Sequence, residues 1–97
     1  MFIISLTYKT SLENVEHFIP EHNDFLEKNY TSGNFIASGR KEPRTGGIII
    51  ADAGSKEEVE EIITKDPFYI HQIADYDITE FIPSKYNEHF KFFIKNS

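Results

Sequence analysis

The order of periodicities along this chain predicts an α+β fold of the ferredoxin-like type. Alternating apolar runs read as strands. Two stretches with apolar residues at steps of three and four read as helices. A glycine- and proline-dense turn joins the two central strands. The resulting order is strand, helix, strand, strand, helix, strand. Two right-handed split crossovers of that kind give one four-stranded antiparallel sheet in the order 4-1-3-2, with the helices on one face.

Phe2 to Tyr8 is the first strand, with Phe2, Ile4, Leu6 and Tyr8 on one apolar face and Ile3, Ser5 and Thr7 on the other. Thr10 or Ser11 caps the first helical stretch. There Val15, Phe18, Ile19, His22, Phe25, Leu26, Asn29, Tyr30 and Gly33 form a helical stripe. Proline suits only the first turn of a helix, so Pro20 predicts a short turn over 12–18 and a main helix from Pro20 onward. Gly33-Asn34 stops it. The second strand is Phe35 to Gly39 and the third Gly47 to Ala53. Ser55-Lys56-Glu57-Glu58 is a capping-box pattern opening a helix to about Lys65, with Val59, Ile62 and Ile63 inward. Asp66 and Pro67 have the chemistry of an N-cap and a first helical residue. Tyr76 to Ile82 is the last strand, stopped by Pro83. The domain is expected to span 1–86. Residues 87–97 are expected to form a tail with a short helix, whose aromatic side chains pack on the body or on a partner.

The totals narrow the function. Ninety-seven residues make one domain. A formal charge of −6 argues against nucleic acid and against anionic membrane as partners. Without cysteine there is no disulfide, thiol nucleophile or zinc–thiolate site. Met1-Phe2-Ile3-Ile4-Ser5 is too short and uncharged for a signal peptide, so a cytoplasmic setting is expected. The histidines lack metal-ligand spacing, and no metal or other cofactor is expected. The second face of the sheet, with Ile3 on it, needs cover, and a homodimer is the simplest way to supply it.

The topology brings residues distant in sequence to one end of the domain: the region of His22, the loop 39–47, Asp66, and the strand residues Thr7, Tyr8 and Ser38. His22 reads either as a buried histidine bonded to backbone or as a general acid/base, since imidazole titrates near neutrality. In the first turn of a helix starting at Pro20, the helix dipole would favour its neutral form. Asp66 reads either as a plain N-cap or as a partner that fixes the tautomer of His22. The turn between the central strands holds three of the five glycines and both arginines of the chain. Arg44 and Arg40 read either as solvated loop charges or as anion ligands, with Gly46 and Gly47 letting backbone amides approach. Ser38 lies beside them without the strained elbow of a nucleophilic serine. The loop also lacks a phosphate-loop pattern.

These residues form a pattern. Glu21-His22 with Phe25-Leu26, Ala37-Ser38-Gly39, Pro43-Arg44-Thr45-Gly46-Gly47-Ile48-Ile49, Asp66-Pro67-Phe68 and Tyr76-Asp77-Ile78-Thr79-Glu80-Phe81 resemble the YciI-like (YCII-related) family over residues 1 to about 86. The resemblance implies a dimeric α+β barrel and a histidine–aspartate site, which maps onto His22 and Asp66. Its relatives include a dechlorinating enzyme acting on hydroxylated chloroaromatics, and the wider superfamily includes muconolactone isomerases. Where relatives often carry proline after Ser-Gly, this chain has Arg40, a sign that its ligand differs from theirs. The expected function is a small cofactor-independent enzyme acting on an anionic or hydroxylated cyclic molecule, of isomerase or lyase type. The alternative is a small-molecule-binding or accessory module without chemistry.

Overall fold

The computed structural model describes residues 1–94. Its elements are β1 (Phe2–Tyr8), α1 (Leu12–Thr31), β2 (Phe35–Arg40), β3 (Gly46–Ala51), α2 (Lys56–Ile63), α3 (Pro67–Ile70) and β4 (Ala74–Glu80), followed by a 3-10 turn over Glu88–Phe93. The sheet is antiparallel throughout in the order β2-β3-β1-β4, as the ferredoxin-like reading requires. Alternation in β1 buries Phe2, Ile4 and Leu6 against the helices. Val15 and Phe25 of α1, Val59 and Ile63 of α2, and Phe68 of α3 complete that core. Ile3, Ile48 and Ile50 lie half-buried on the open face of the sheet. Among the described residues no helix is long and apolar enough to cross a membrane.

The first helix departs from expectation. It is one continuous helix with Pro20 inside it, capped by Ser11, whose hydroxyl accepts from the Asn14 amide at 3.2 Å. Pro20 cannot donate to the Glu16 carbonyl, a local cost. The stripe from Val15 to Phe25 packs against the sheet on both sides of the proline, and that burial carries the helix through. His22 is therefore in mid-helix, and the dipole of a helix start does not act on it. Ser32 caps the end and Gly33 takes a positive φ of 84°, as the Gly33-Asn34 stop predicts.

Strand limits shift by one or two residues. β3 begins at Gly46 and β4 at Ala74 because Thr7 and Tyr8 extend the ladders of β1 in that direction. Gly46 has a specific duty there, since a Cβ at this position would overlap the Leu6 carbonyl. Beyond Glu80 the ladder ends with the Phe81 amide donating to the Met1 carbonyl at 2.8 Å. α2 stops at Ile63, and the amides of Thr64, Lys65 and Asp66 bond back to its last carbonyls. Phe92 is 88% exposed, and the ring contacts of Phe92 and Phe90 are with Phe93.

One irregularity sets the site. Phe35 pairs with Ala51 but Ala37 pairs with Ile50, so Ile36 is an extra residue, a β-bulge. Simple alternation from inward-facing Phe35 would point Ala37 and Gly39 at the helices. The bulge reverses the parity, and Ser38 and Arg40 take the helix-facing positions opposite Ile49 and Gly47.

Replacing Pro20 by alanine restores the amide donor to an exposed helix position. Proline in a helix interior is about 3 kcal/mol less favourable than alanine. Urea denaturation of Pro20→Ala is expected to show a gain of stability up to that size, and a loss would mean that the proline is fitted to its place.

Candidate active site

Asp66 performs both of the roles its sequence position suggests. It is the N-cap of α3, where Oδ1 accepts from the Phe68 amide at 2.9 Å. The same oxygen lies 2.8 Å from Nδ1 of His22. The Tyr76 hydroxyl donates to Oδ2 at 2.5 Å. The carboxylate is fully buried, so these three donors, from α1, α3 and β4, replace its water. With a phenol and an amide donating to it, the carboxylate offers His22 only lone pairs. Nδ1 therefore carries the hydrogen and Nε2 is left as the acceptor.

Packing fixes the imidazole as firmly as the hydrogen bond does. Its ring stacks on Phe68 with centroids 4.0 Å apart and planes 3° from parallel. Phe68 is thus held by its amide on Asp66 and in turn supports the partner of Asp66. The His22 side chain keeps 13% exposure, enough to present one edge to a cavity of about 280 Å³. Leu6, Ile19, Leu26 and Phe68 give that cavity apolar walls.

Of the predicted site residues, His22, Tyr8, Ser38, Arg40, Gly46 and Gly47 line this cavity, and Asp66 stands behind His22. Ser38 is anchored by Tyr30, with the two hydroxyls 2.6 Å apart. Arg44 is not brought there. Its guanidinium lies 3.3 Å from a Glu16 carboxylate oxygen, on the outer side of α1. That pairing depends on α1 being helical before Pro20, which the sequence alone does not predict. Lys41, next to Arg40, turns to Thr7 at 3.2 Å. Among the described residues no three histidine, aspartate or glutamate side chains gather for a metal ion.

Tyr76 is a participant that the sequence reading does not single out. Its strand alternation places it inward with Ala74 and Ile78, and a phenol facing inward needs an acceptor. Burial above all, then the Asp66 charge and hydrogen bond, push its pKa far above the ordinary 10.0. A group raised in this way stabilises the fold fully below pH 10.0 and loses that contribution as pH rises above it. Tyr76→Phe leaves Oδ2 short of a donor and is expected to cost about 1–3 kcal/mol at pH 8. Above pH 10.0 the wild type loses about 1.4 kcal/mol per pH unit from this group, and the variant does not. Denaturation at pH 8 and pH 11 checks the sign: the gap between the two proteins narrows in alkali, and a constant gap would contradict it.

Known proteins resemble this one chiefly in fold. Among solved structures, 5-chloro-2-hydroxyhydroquinone dehydrochlorinase from Burkholderia phenoliruptrix AC1100, in complex with 2,5-dihydroxybenzoquinone, matches with a TM-score of 0.71. The match covers 92% of this chain and 98% of that one at 19% identity, which is a likeness of fold. Among curated proteins nothing matches. A family model described as YCII-related domain matches residues 1–82. That span holds all four strands, the three α-helices and every residue of the cavity. The chain belongs to the YCII-related domain family.

Proposed function

We propose that this protein is a small enzyme that moves protons on a hydroxylated or anionic cyclic molecule, with His22 as acid and base and Asp66 as its orienting partner. The observation that carries the reading is the 2.8 Å contact between Nδ1 of His22 and a fully buried, fully bonded carboxylate. It leaves Nε2 free beside an apolar-walled cavity. A substrate C–H or O–H proton passes to Nε2, and the imidazolium formed is stabilised by Asp66. Return of the proton to another atom of the ring gives an isomerisation. Loss of a leaving group from the neighbouring carbon gives an elimination. The chemistry needs no group beyond these side chains. A cavity of about 280 Å³ is at the small end of ligand sites, which run from about 300 to 1,000 Å³, and suits a single ring. The ligand class of the solved fold neighbour, a hydroxylated ring, is in keeping with that size.

Two such subunits are proposed to pair through the open face of the sheet. The row Ala37, Ile50 and Ile3 runs across β2, β3 and β1 and leaves apolar surface for a second copy.

The test of the chemistry is proton exchange. Chlorinated hydroquinones and unsaturated lactones are incubated with the protein in deuterated water and followed by NMR. His22→Gln is expected to lower the rate on any substrate by about 10²–10⁴-fold with the fold retained. A rate unchanged by that substitution, or binding without exchange or turnover by the wild type, would favour a plain binding module. For the dimer, light scattering is expected to give twice the chain mass, and Ile50→Glu the mass of one chain. A wild-type protein of single-chain mass at micromolar concentration would overturn the pairing.

A further inference from the structure

The acidic chain has built a cavity free of acidic side chains. Of its 16 aspartates and glutamates, none lines the cavity, and Asp66 is screened behind the imidazole. The one charged side chain on the wall is Arg40. The neighbouring cations are all engaged elsewhere: Arg44 on Glu16, Lys41 on Thr7, Lys9 on Asp75. Arg40 has no carboxylate within ion-pair distance among the described residues.

Its position is built by two features that otherwise weaken the sheet. The bulge at Ile36 turns Arg40 to the helix side, and its partner across the ladder is Gly47, which has no side chain to occupy that space. Arg40 itself is exposed, at the open rim of the cavity.

We propose that Arg40 is the specificity residue of this site and that the ligand is a single hydroxylated ring bearing an oxyanion, a carboxylate or a phosphate, which the guanidinium takes as a planar fork. The proposal rests on the cavity being a ligand site, as in the proposed function, but not on any chemistry there. An apolar wall takes the ring, Arg40 takes the anion, and Nε2 of His22 faces the hydroxylated edge. Arginine suits this task because its donors are paired and coplanar, matching two oxygens of one oxyanion. The field of a lone cation in a cleft with low-dielectric walls also draws anions into it against the net charge of the protein.

Calorimetric titration at low salt separates the possibilities. Hydroquinone and 2,5-dihydroxybenzoate differ by one carboxylate; phenol and phenyl phosphate differ by one phosphate. The wild type is expected to prefer one of the charged probes over its neutral counterpart by about tenfold or more, the size of a charge-assisted hydrogen-bond pair. Whichever anion shows the larger preference identifies the oxyanion. Arg40→Gln is expected to abolish that preference while neutral-probe affinity stays within about twofold. Lys41→Gln removes the same charge one residue along and is expected to keep the preference. Equal binding of charged and neutral probes by the wild type, a preference that survives Arg40→Gln, or its equal loss in Lys41→Gln would each overturn the proposal. An Arg40-dependent preference in a protein that turns over no substrate would uphold the anion site while removing the acid–base reading.

Discussion

A carboxylate withdrawn from water must find donors or lose its charge, and the way Asp66 meets that demand organises the molecule. Its three partners come from three elements, the imidazole of α1, the first turn of α3 and the phenol of β4. α3 is only four residues long and has little helical stability of its own. It holds its place because the cap that starts it is also the acceptor to which α1 and β4 are tied. Uncompensated burial of such a charge costs several kcal/mol. The three donors are therefore required together, and the positions of the helices and the last strand are coupled through one side chain.

The same economy appears in the imidazole. His22 has one nitrogen bonded, one face stacked and one edge presented. Rotation of the ring would break the bond to Asp66 and the contact with Phe68 at once. Because Phe68 is itself oriented through its amide on Asp66, the tripeptide Asp66-Pro67-Phe68 supplies both the in-plane acceptor and the surface under the ring. Preorganisation of this kind places the acceptor nitrogen before any ligand arrives.

Much of this is legible in the sequence, and the exceptions have physical causes. Strand order, the caps at Ser11, Ser55 and Asp66, and the stop at Gly33 follow from periodicity and local chemistry, and the structure bears them out. The meeting of His22 with Asp66 follows from connectivity, which sets which ends of which elements share an end of the sheet. Pro20 misleads because its local cost is visible in the sequence and the packing that offsets it is not. The sequence offers both arginines of the loop as anion ligands, and the structure brings Arg40 to the cavity and leaves Arg44 outside it. Arg44 pairs with Glu16 on a stretch of helix that Pro20 disfavours, and Arg40 is turned to the helix side of the sheet by a bulge. No glycine or proline marks that bulge at Ile36, so the sequence carries no local sign of it. Tyr76 is legible in principle, from the inward phenol that needs an acceptor, but a strand read only for its apolar face hides it.

The bulge at Ile36 makes the chemistry of the cavity wall a matter of counting. Every residue of β2 after Ile36 takes its side from whether Ile36 is counted in the ladder or left out of it as a bulge. Taking Ile36 into the ladder, with no change of length, would exchange the wall Ser38 and Arg40 for Ala37 and Gly39 and send the charge to the opposite side of the sheet, whereas deleting Ile36 would leave Ser38 and Arg40 where they are. A strand of this kind can thus gain or lose a cationic wall by forming or flattening a bulge, with no change of length. Aligned columns in this strand then need not correspond to equivalent directions in space. Two relatives with the same residue letters in β2 can differ in what they offer a ligand, and two with different letters can offer the same.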